Sequence, residues 1–216
     1  MSKFVCIGLN YADHAAEGGS RKPSEPIIFI KANSALAGPY DDTVRPRNAQ
    51  KLDWEAELGV VIGRKASYVS ESDALQYVAG YCVVNDVTER AFQSQSSQWD
   101  KGKGCDTFGP VGPWLVTADE VQDPQNLRVW LEVNGRRMQN GTTRDMIFGV
   151  ATLVSYVSHY MTLNPGDLIA TGTPAGVGES IRPTPVWLKP GDVVELSVEG
   201  LGLQRHNVID HRAATP

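Results

Sequence analysis

Leu52-Asp53-Trp54-Glu55-Ala56-Glu57-Leu58-Gly59-Val60-Val61-Ile62-Gly63 reads as a buried strand into which two carboxylates have been set. Side chains alternate along a strand, so Trp54, Ala56, Leu58, Val60 and Ile62 share an apolar face, while Glu55, Glu57, Gly59 and Val61 share the other. The acidic face runs on into Gly59 and Val61, which is not the composition of a simply solvent-washed surface. Neighbouring carboxylates in a partly dry place repel one another and resist ionisation unless a cation stands between them. The pair therefore admits two readings: a divalent-metal site, or a wet face answered by lysine and arginine neighbours.

Working outward, 216 residues with 41% hydrophobic content can bury a core as one domain over residues 1–216, and no low-complexity linker suggests a cut. A net charge of −5 argues against a general nucleic-acid binder, because phosphate contacts need clustered lysine and arginine. The apolar opening, Phe4 to Leu9, is too short for a signal-peptide core, and nowhere do eighteen apolar residues run together, so no membrane partner is expected. Cys6, Cys82 and Cys105 are an odd, widely spaced set without a Cys-x-x-Cys, which fits reduced thiols in the cytoplasm.

Short β-rich runs dominate: Phe4–Leu9, Ile27–Lys31, Trp54–Ile62, Val78–Asn85, Leu127–Val133, Leu168–Thr171, Val193–Val198 and Leu203–Ile209. Asn134-Gly135 reads as a tight hairpin turn, and two Pro-Gly-Asp turns, at Pro165–Asp167 and Pro190–Asp192, each feed an apolar strand. The expected class is mainly β (α+β), with a few short helices. Helical spacing is best over Met146–Met161, a helix over Thr88–Trp99 is compatible with the sequence, and Asn10 to Glu17 reads as one or two helical turns stopped by Gly18-Gly19.

Asp86 follows the apolar run Tyr81-Cys82-Val83-Val84-Asn85, where a strand ends and sites collect. With Glu55 and Glu57 it makes an oxygen-only donor set suited to Mg²⁺, Mn²⁺ or Ca²⁺; alternatively it merely caps the segment that follows. His14 and Glu17, three apart, share a helix face, an arrangement that serves a water-activating base and equally an exposed ion pair. Lys101 and Lys103 lie among glycines in a segment that could bring an ammonium to an anionic oxygen. Gly172 to Gly178 lacks the spacing of a dinucleotide site, but Thr171-Gly172-Thr173-Pro174 follows a strand and offers hydroxyls and amides to a carboxylate, or is an ordinary turn.

Together these segments resemble the fumarylacetoacetate hydrolase family, from about Phe4 to beyond Leu203. The resemblance is carried by Gly8-Leu9-Asn10-Tyr11 with His14 and Glu17, Glu55-Ala56-Glu57-Leu58, Asn85-Asp86 with Arg90 and Gln93, Lys101-Gly102-Lys103-Gly104, and Thr171 to Gly178. It implies a mixed β-roll or β-sandwich of that family's C-terminal type, usually a homodimer, with Mg²⁺ or Mn²⁺ held by Glu55, Glu57 and Asp86 and Ca²⁺ as a non-native occupant. It implies a 2-keto acid substrate chelated to the metal, His14 oriented by Glu17 as base, and Lys103 stabilising negative charge or supplying a proton. Asn10, Tyr11, Arg90, Gln93 and Thr173 then bind the substrate's carboxylate and polar tail.

Within the family, Asp53-Trp54-Glu55, Lys103 to Pro110 and Gly112 to Thr117 look most like the 2,4-diketo-3-deoxy-L-rhamnonate and L-fuconate hydrolases, which release pyruvate and a second acid. The same segments are similar to proteins labelled ureidoglycolate lyases, and the His–Glu pair to acylpyruvate hydrolases and oxaloacetate decarboxylases. A non-catalytic 2-keto acid binding protein is the remaining alternative. Relatives often carry a further segment before the strand matching Phe4–Leu9, where this chain begins Met1-Ser2-Lys3, a difference that bears on oligomer contacts more than on chemistry.

Overall fold

In the computed structural model, which describes residues 1–19 and 21–211, fourteen strands and four α-helices are found among the described residues. The strands are β1 (Phe4–Gly8), β2 (Ile27–Lys31), β3 (Leu36–Ala37), β4 (Thr43–Arg45), β5 (Leu52–Asp53), β6 (Ala56–Ile62), β7 (Val78–Asn85), β8 (Thr88–Glu89), β9 (Gly109–Thr117), β10 (Arg128–Val133), β11 (Arg136–Thr142), β12 (Leu168–Ala170), β13 (Val193–Val198) and β14 (Leu203–Asp210). The helices are α1 (Ala12–Glu17), α2 (Arg90–Gln93), α3 (Asp100–Lys103) and α4 (Val150–Tyr160).

One sheet has the order β2-β1-β12-β6-β7-β9-β3, a second the order β11-β10-β13-β14-β4, and β5 pairs with β8 as a two-stranded ribbon. Most neighbours are antiparallel, but β1 runs parallel to β12, β3 to β9 and β4 to β14. The class is mainly β, as the short alternating runs imply.

The alternation along residues 54–62 decides where the core lies. Trp54, Ala56, Leu58, Val60 and Ile62 join the main core, which also takes Val129 and Leu131 from β10, Leu196 and Val198 from β13, and Leu153, Val154 and Val157 from α4. On the opposite face a smaller cluster of Phe4, Cys6, Cys82, Val84, Leu168 and Ala170 packs around Gly59, where an added Cβ would lie 2.7 Å from both Cys82 and Val84. Glu55 and Glu57 stand at the end of that second face. Cys6 and Cys82 are buried and unpaired, and Cys105 is also free. No described helix is long and apolar enough to cross a membrane.

Two helix expectations are corrected. Thr88–Trp99 is not one helix: Thr88 and Glu89 pair with Leu52 and Asp53, and helix begins only at Arg90. Glu89 accepts hydrogen bonds from the Gln50, Lys51 and Phe92 amides, which ties it to the ribbon while its carboxylate caps α2. Met146–Met161 shortens to α4, because the Ile147 and Phe148 amides bond Asn10 instead of continuing a helix. Four strands, β3, β4, β9 and β11, had no clear periodic signal.

Candidate active site

Antiparallel pairing of β6 with β7 sets Ala56 opposite Asn85, which brings the residues flanking Ala56 beside Asp86. The Asp86 amide donates to the Glu55 carbonyl at 2.9 Å, and the Glu55 amide to Asn85 Oδ1 at 3.1 Å. Glu55, Glu57 and Asp86 each offer an oxygen within 4.8 Å of the others. The face is not wet: Glu57 and Asp86 are each 1% exposed. Lysine and arginine neighbours are present as well.

Those cations are unevenly shared. Glu55 takes Arg90 Nη2 at 2.7 Å on one oxygen and Lys103 Nζ at 2.6 Å on the other. Burial alone would raise its carboxyl, but Lys103 and then Arg90 outweigh burial and hold it down to about 2. Asp86 takes Lys103 on one oxygen at 2.7 Å and Lys31 on the other. Glu57 receives only the Gly172 amide, at 2.8 Å. Burial pushes its carboxyl up, and the nearby Asp86 and Glu55 push it further. Three hard oxygen donors converge here, and among the described residues one of them, Glu57, forms no ion pair with a lysine or arginine, though Lys103 is near enough to offset part of the repulsion. That donor set fits a hard divalent ion.

The dyad is held from the opposite side. Gly18 and Gly19 close α1, their amides donating to His14 O and Ala16 O, and Gly19 takes φ +69°. His14 Nδ1 lies 2.9 Å from Glu17 Oε1, and Glu17 in turn accepts from the Gly176 amide at 3.0 Å. Residues 171–178 therefore touch both halves of the site: Gly172 bonds Glu57 and Gly176 bonds Glu17. Gly172 adopts φ +97° and passes so near Asn10 that a Cβ would lie 2.7 Å from the Asn10 Cβ.

A cavity of about 550 Å³ collects most of the expected residues: His14, Glu55, Glu57, Arg90, Gln93, Lys103 and Thr173 line it. Asp86 and Glu17 stand behind their partners. Asn10 and Tyr11, expected at the substrate, are off the wall. Asn10 spends its amide on the Phe148 and Thr171 carbonyls and the Phe148 amide, joining three segments. Tyr11 is fully buried, its hydroxyl without a hydrogen-bond partner. Thr173 lines the cavity, and its hydroxyl donates to Ala56 O at 2.9 Å and accepts from Gln139 Nε2 at 2.8 Å. With that proton committed, the hydroxyl itself can only accept from a ligand.

Sequence reading missed three buried polar residues. Lys31 ends an otherwise apolar strand, Ile27-Ile28-Phe29-Ile30-Lys31, and that misfit was the available signal. Asp53 accepts from Arg90 Nε and the Trp54, Gly178 and Glu179 amides, so it fixes Arg90 and the cavity rim together. Gln139, on β11, had no local signal at all. Arg182, Ser94, Ser96 and Trp99 are also on the wall.

Comparison with known proteins assigns the family. Residues 3–209 match the model of the fumarylacetoacetate (FAA) hydrolase C-terminal family. A Burkholderia lata protein, named only provisionally as a hydrolase, is 59% identical over 98% of this chain and 76% of its own length. The structure of fumarylacetoacetate hydrolase from psychrophilic Exiguobacterium antarcticum superposes with a TM-score of 0.89 at 41% identity, covering 97% of this chain and 75% of that one. That of 2-hydroxyhepta-2,4-diene-1,7-dioate isomerase from Mycobacterium marinum gives 0.86 at 41% identity, covering 98% and 76%.

Proposed function

The chain belongs to the fumarylacetoacetate hydrolase family, and from that premise we propose that it is a divalent-metal-dependent hydrolase cleaving a C–C bond of a 2,4-diketo acid. The substrate class is a 2,4-diketo-3-deoxy sugar acid or an acylpyruvate, and the products are pyruvate and a second acid. The observation that carries this reading is that His14, held by Glu17, and the acidic pair Glu55 and Glu57 open on one cavity, with the Lys103 ammonium between Glu55 and Asp86.

Glu55, Glu57 and Asp86 would hold Mg²⁺ or Mn²⁺, which supplies Lewis-acid stabilisation of negative charge on a 2-keto acid. With Nδ1 turned to Glu17, His14 has Nε2 left to take a proton from water. The oxygen of that water bonds to the distal carbonyl carbon, the C3–C4 bond breaks, and its electron pair goes to C3, which is then protonated. Lys103 faces the developing negative charge. Arg90, tied to Asp53 and Glu55, keeps donors in reserve for the substrate's polar tail, and Gln93 stands beside it. The same reading places a single catalytic domain in a cytoplasmic homodimer.

The isomerase name borne by the Mycobacterium marinum neighbour favours a second reading, proton transfer on an unsaturated dioic acid without hydrolysis. Release of pyruvate separates the two. Diketo sugar acids, acylpyruvates, oxaloacetate and ureidoglycolate are to be screened with EDTA and with Mn²⁺ restored, scoring glyoxylate for the last. Pyruvate from a diketo acid that stops with EDTA and returns with Mn²⁺ is expected; turnover indifferent to EDTA would overturn the proposal.

A further inference from the structure

Among the described residues, no member of the five-stranded sheet lines the cavity, yet one of its side chains reaches Ala56, the residue between the two glutamates. Gln139, fully buried on β11, accepts from the Ala56 amide at 2.9 Å and donates to Thr173 Oγ1 and to Pro174 O, each at 2.8 Å. Thr173 Oγ1 completes a ring by donating to Ala56 O. The direction of every bond is forced: an amide N–H can only donate, a carbonyl can only accept, and these fix the Gln139 orientation and the Thr173 proton.

The ring exists because β6 outruns its neighbour. β12 pairs with Val61, Val60 and Gly59 and stops at Ala170, leaving both backbone polar groups of Ala56 without a ladder partner. Gln139 and Thr173 take them. The β10–β11 register shifts beside Gln139, with Leu131 opposite Gln139 and Glu132 opposite Arg137, as at a β-bulge. The loop lies directly on β11: at Gly176, φ +104°, a Cβ would sit 2.1 Å from Met138 O. So the loop whose amides hold Glu57 and Glu17 is pinned to the residue between Glu55 and Glu57 by a glutamine from the other sheet.

We propose that Gln139 is a positioning residue for this site, fixing the Glu55-Ala56-Glu57 backbone relative to residues 171–178 and thereby registering the carboxylate cluster against the His14–Glu17 dyad. It deepens the metal-dependent reading above and rests on it for its catalytic consequence. Its structural core is testable without metal. In Gln139→Leu, hydrogen exchange at Gly172 and Gly176 is expected to quicken about 100-fold while amides of β7 are unchanged. In the same variant Mn²⁺ should bind about 10–100-fold more weakly, the scale on which outer partners tune a metal site, with kcat falling more than KM rises. Thr173→Val breaks the ring from its other end and serves where Gln139→Leu does not fold. If the ring is one device, the double variant weakens Mn²⁺ binding no more than either single change. Unchanged exchange at Gly172 and Gly176, exchange rising equally in β7, or multiplying losses of Mn²⁺ affinity would overturn the proposal. Wild-type protein that binds no Mn²⁺ would sink the metal reading alone, leaving the exchange result to judge Gln139.

Discussion

Glu55 and Glu57 are two residues apart and chemically identical, yet the structure predicts opposite effects of neutralising them. Glu55→Gln takes a partner from both Arg90, 2.7 Å away, and Lys103, 2.6 Å away. Breaking a buried ion pair costs about 3–5 kcal/mol, and the lower end applies because Arg90 keeps Asp53 and Lys103 keeps Asp86. For a chain of this size about 3 kcal/mol lowers Tm by roughly 6–12 °C. Glu57→Gln removes a charge that faces Asp86 and Glu55 and keeps an oxygen for the Gly172 amide, so without metal its Tm should equal or exceed that of the wild type. Mn²⁺ at 100 times Kd adds about 2.7 kcal/mol to the wild type, and only about 0.4 kcal/mol to a variant whose Kd has risen 100-fold. Calorimetry in EDTA and then in Mn²⁺ should therefore show the order of wild type and Glu57→Gln reversing. A metal-free Glu57→Gln as unstable as Glu55→Gln would refute the charge assignment, and an equal Mn²⁺ shift in Glu57→Gln and wild type would refute its role as a ligand.

His14→Ala should lower kcat by about 10²–10⁴ with Mn²⁺ affinity intact, measured by pyruvate release and by titration calorimetry; metal affinity falling in step would remove His14 from the role of base. Arg90→Lys keeps the charge but cannot span Asp53 and Glu55 together, so kcat/KM should drop about 10-fold or more, and an unimpaired enzyme would show that the guanidinium fork is dispensable. Asp167 accepts from the Ser2, Lys3 and Asn164 amides and pairs with Lys3; burial opposes its ionisation, but these partners hold its carboxyl below the usual carboxylate range. A depressed pKa contributes stability that is present above the ordinary carboxylate pKa and lost as pH falls below it, so the Tm gap between wild type and Asp167→Asn should stay wide from pH 7 to about pH 4 and narrow progressively as the pH is taken lower. A gap that does not narrow as the pH is taken lower would show that its charge contributes nothing.

What the sequence disclosed about this site follows from how far each residue's partners lie along the chain. Glu55 and Glu57 announced themselves because two acids interrupt an alternating apolar strand, and alternation alone assigns their face. Asp86 was legible because it ends the next apolar run, and His14 with Glu17 because three residues along a helix is contact distance. Thr88–Trp99 failed because its helical spacing competes with a pairing to Leu52 and Asp53 that only the folded chain creates. Lys31 and Asp53 sat in the open as charged residues in apolar company, but their partners Asp86 and Arg90 are 55 and 37 residues away. Gln139 is the extreme case. An uncharged amide in an edge strand carries no local anomaly, and its function arises only where β6 outruns β12 and leaves Ala56 without a partner on that side. Ligand candidates can thus be read from periodicity, since charge in a dry strand is conspicuous by itself. The groups that hold those ligands in register answer backbone vacancies instead, and a vacancy exists only once the strands have been given their ends.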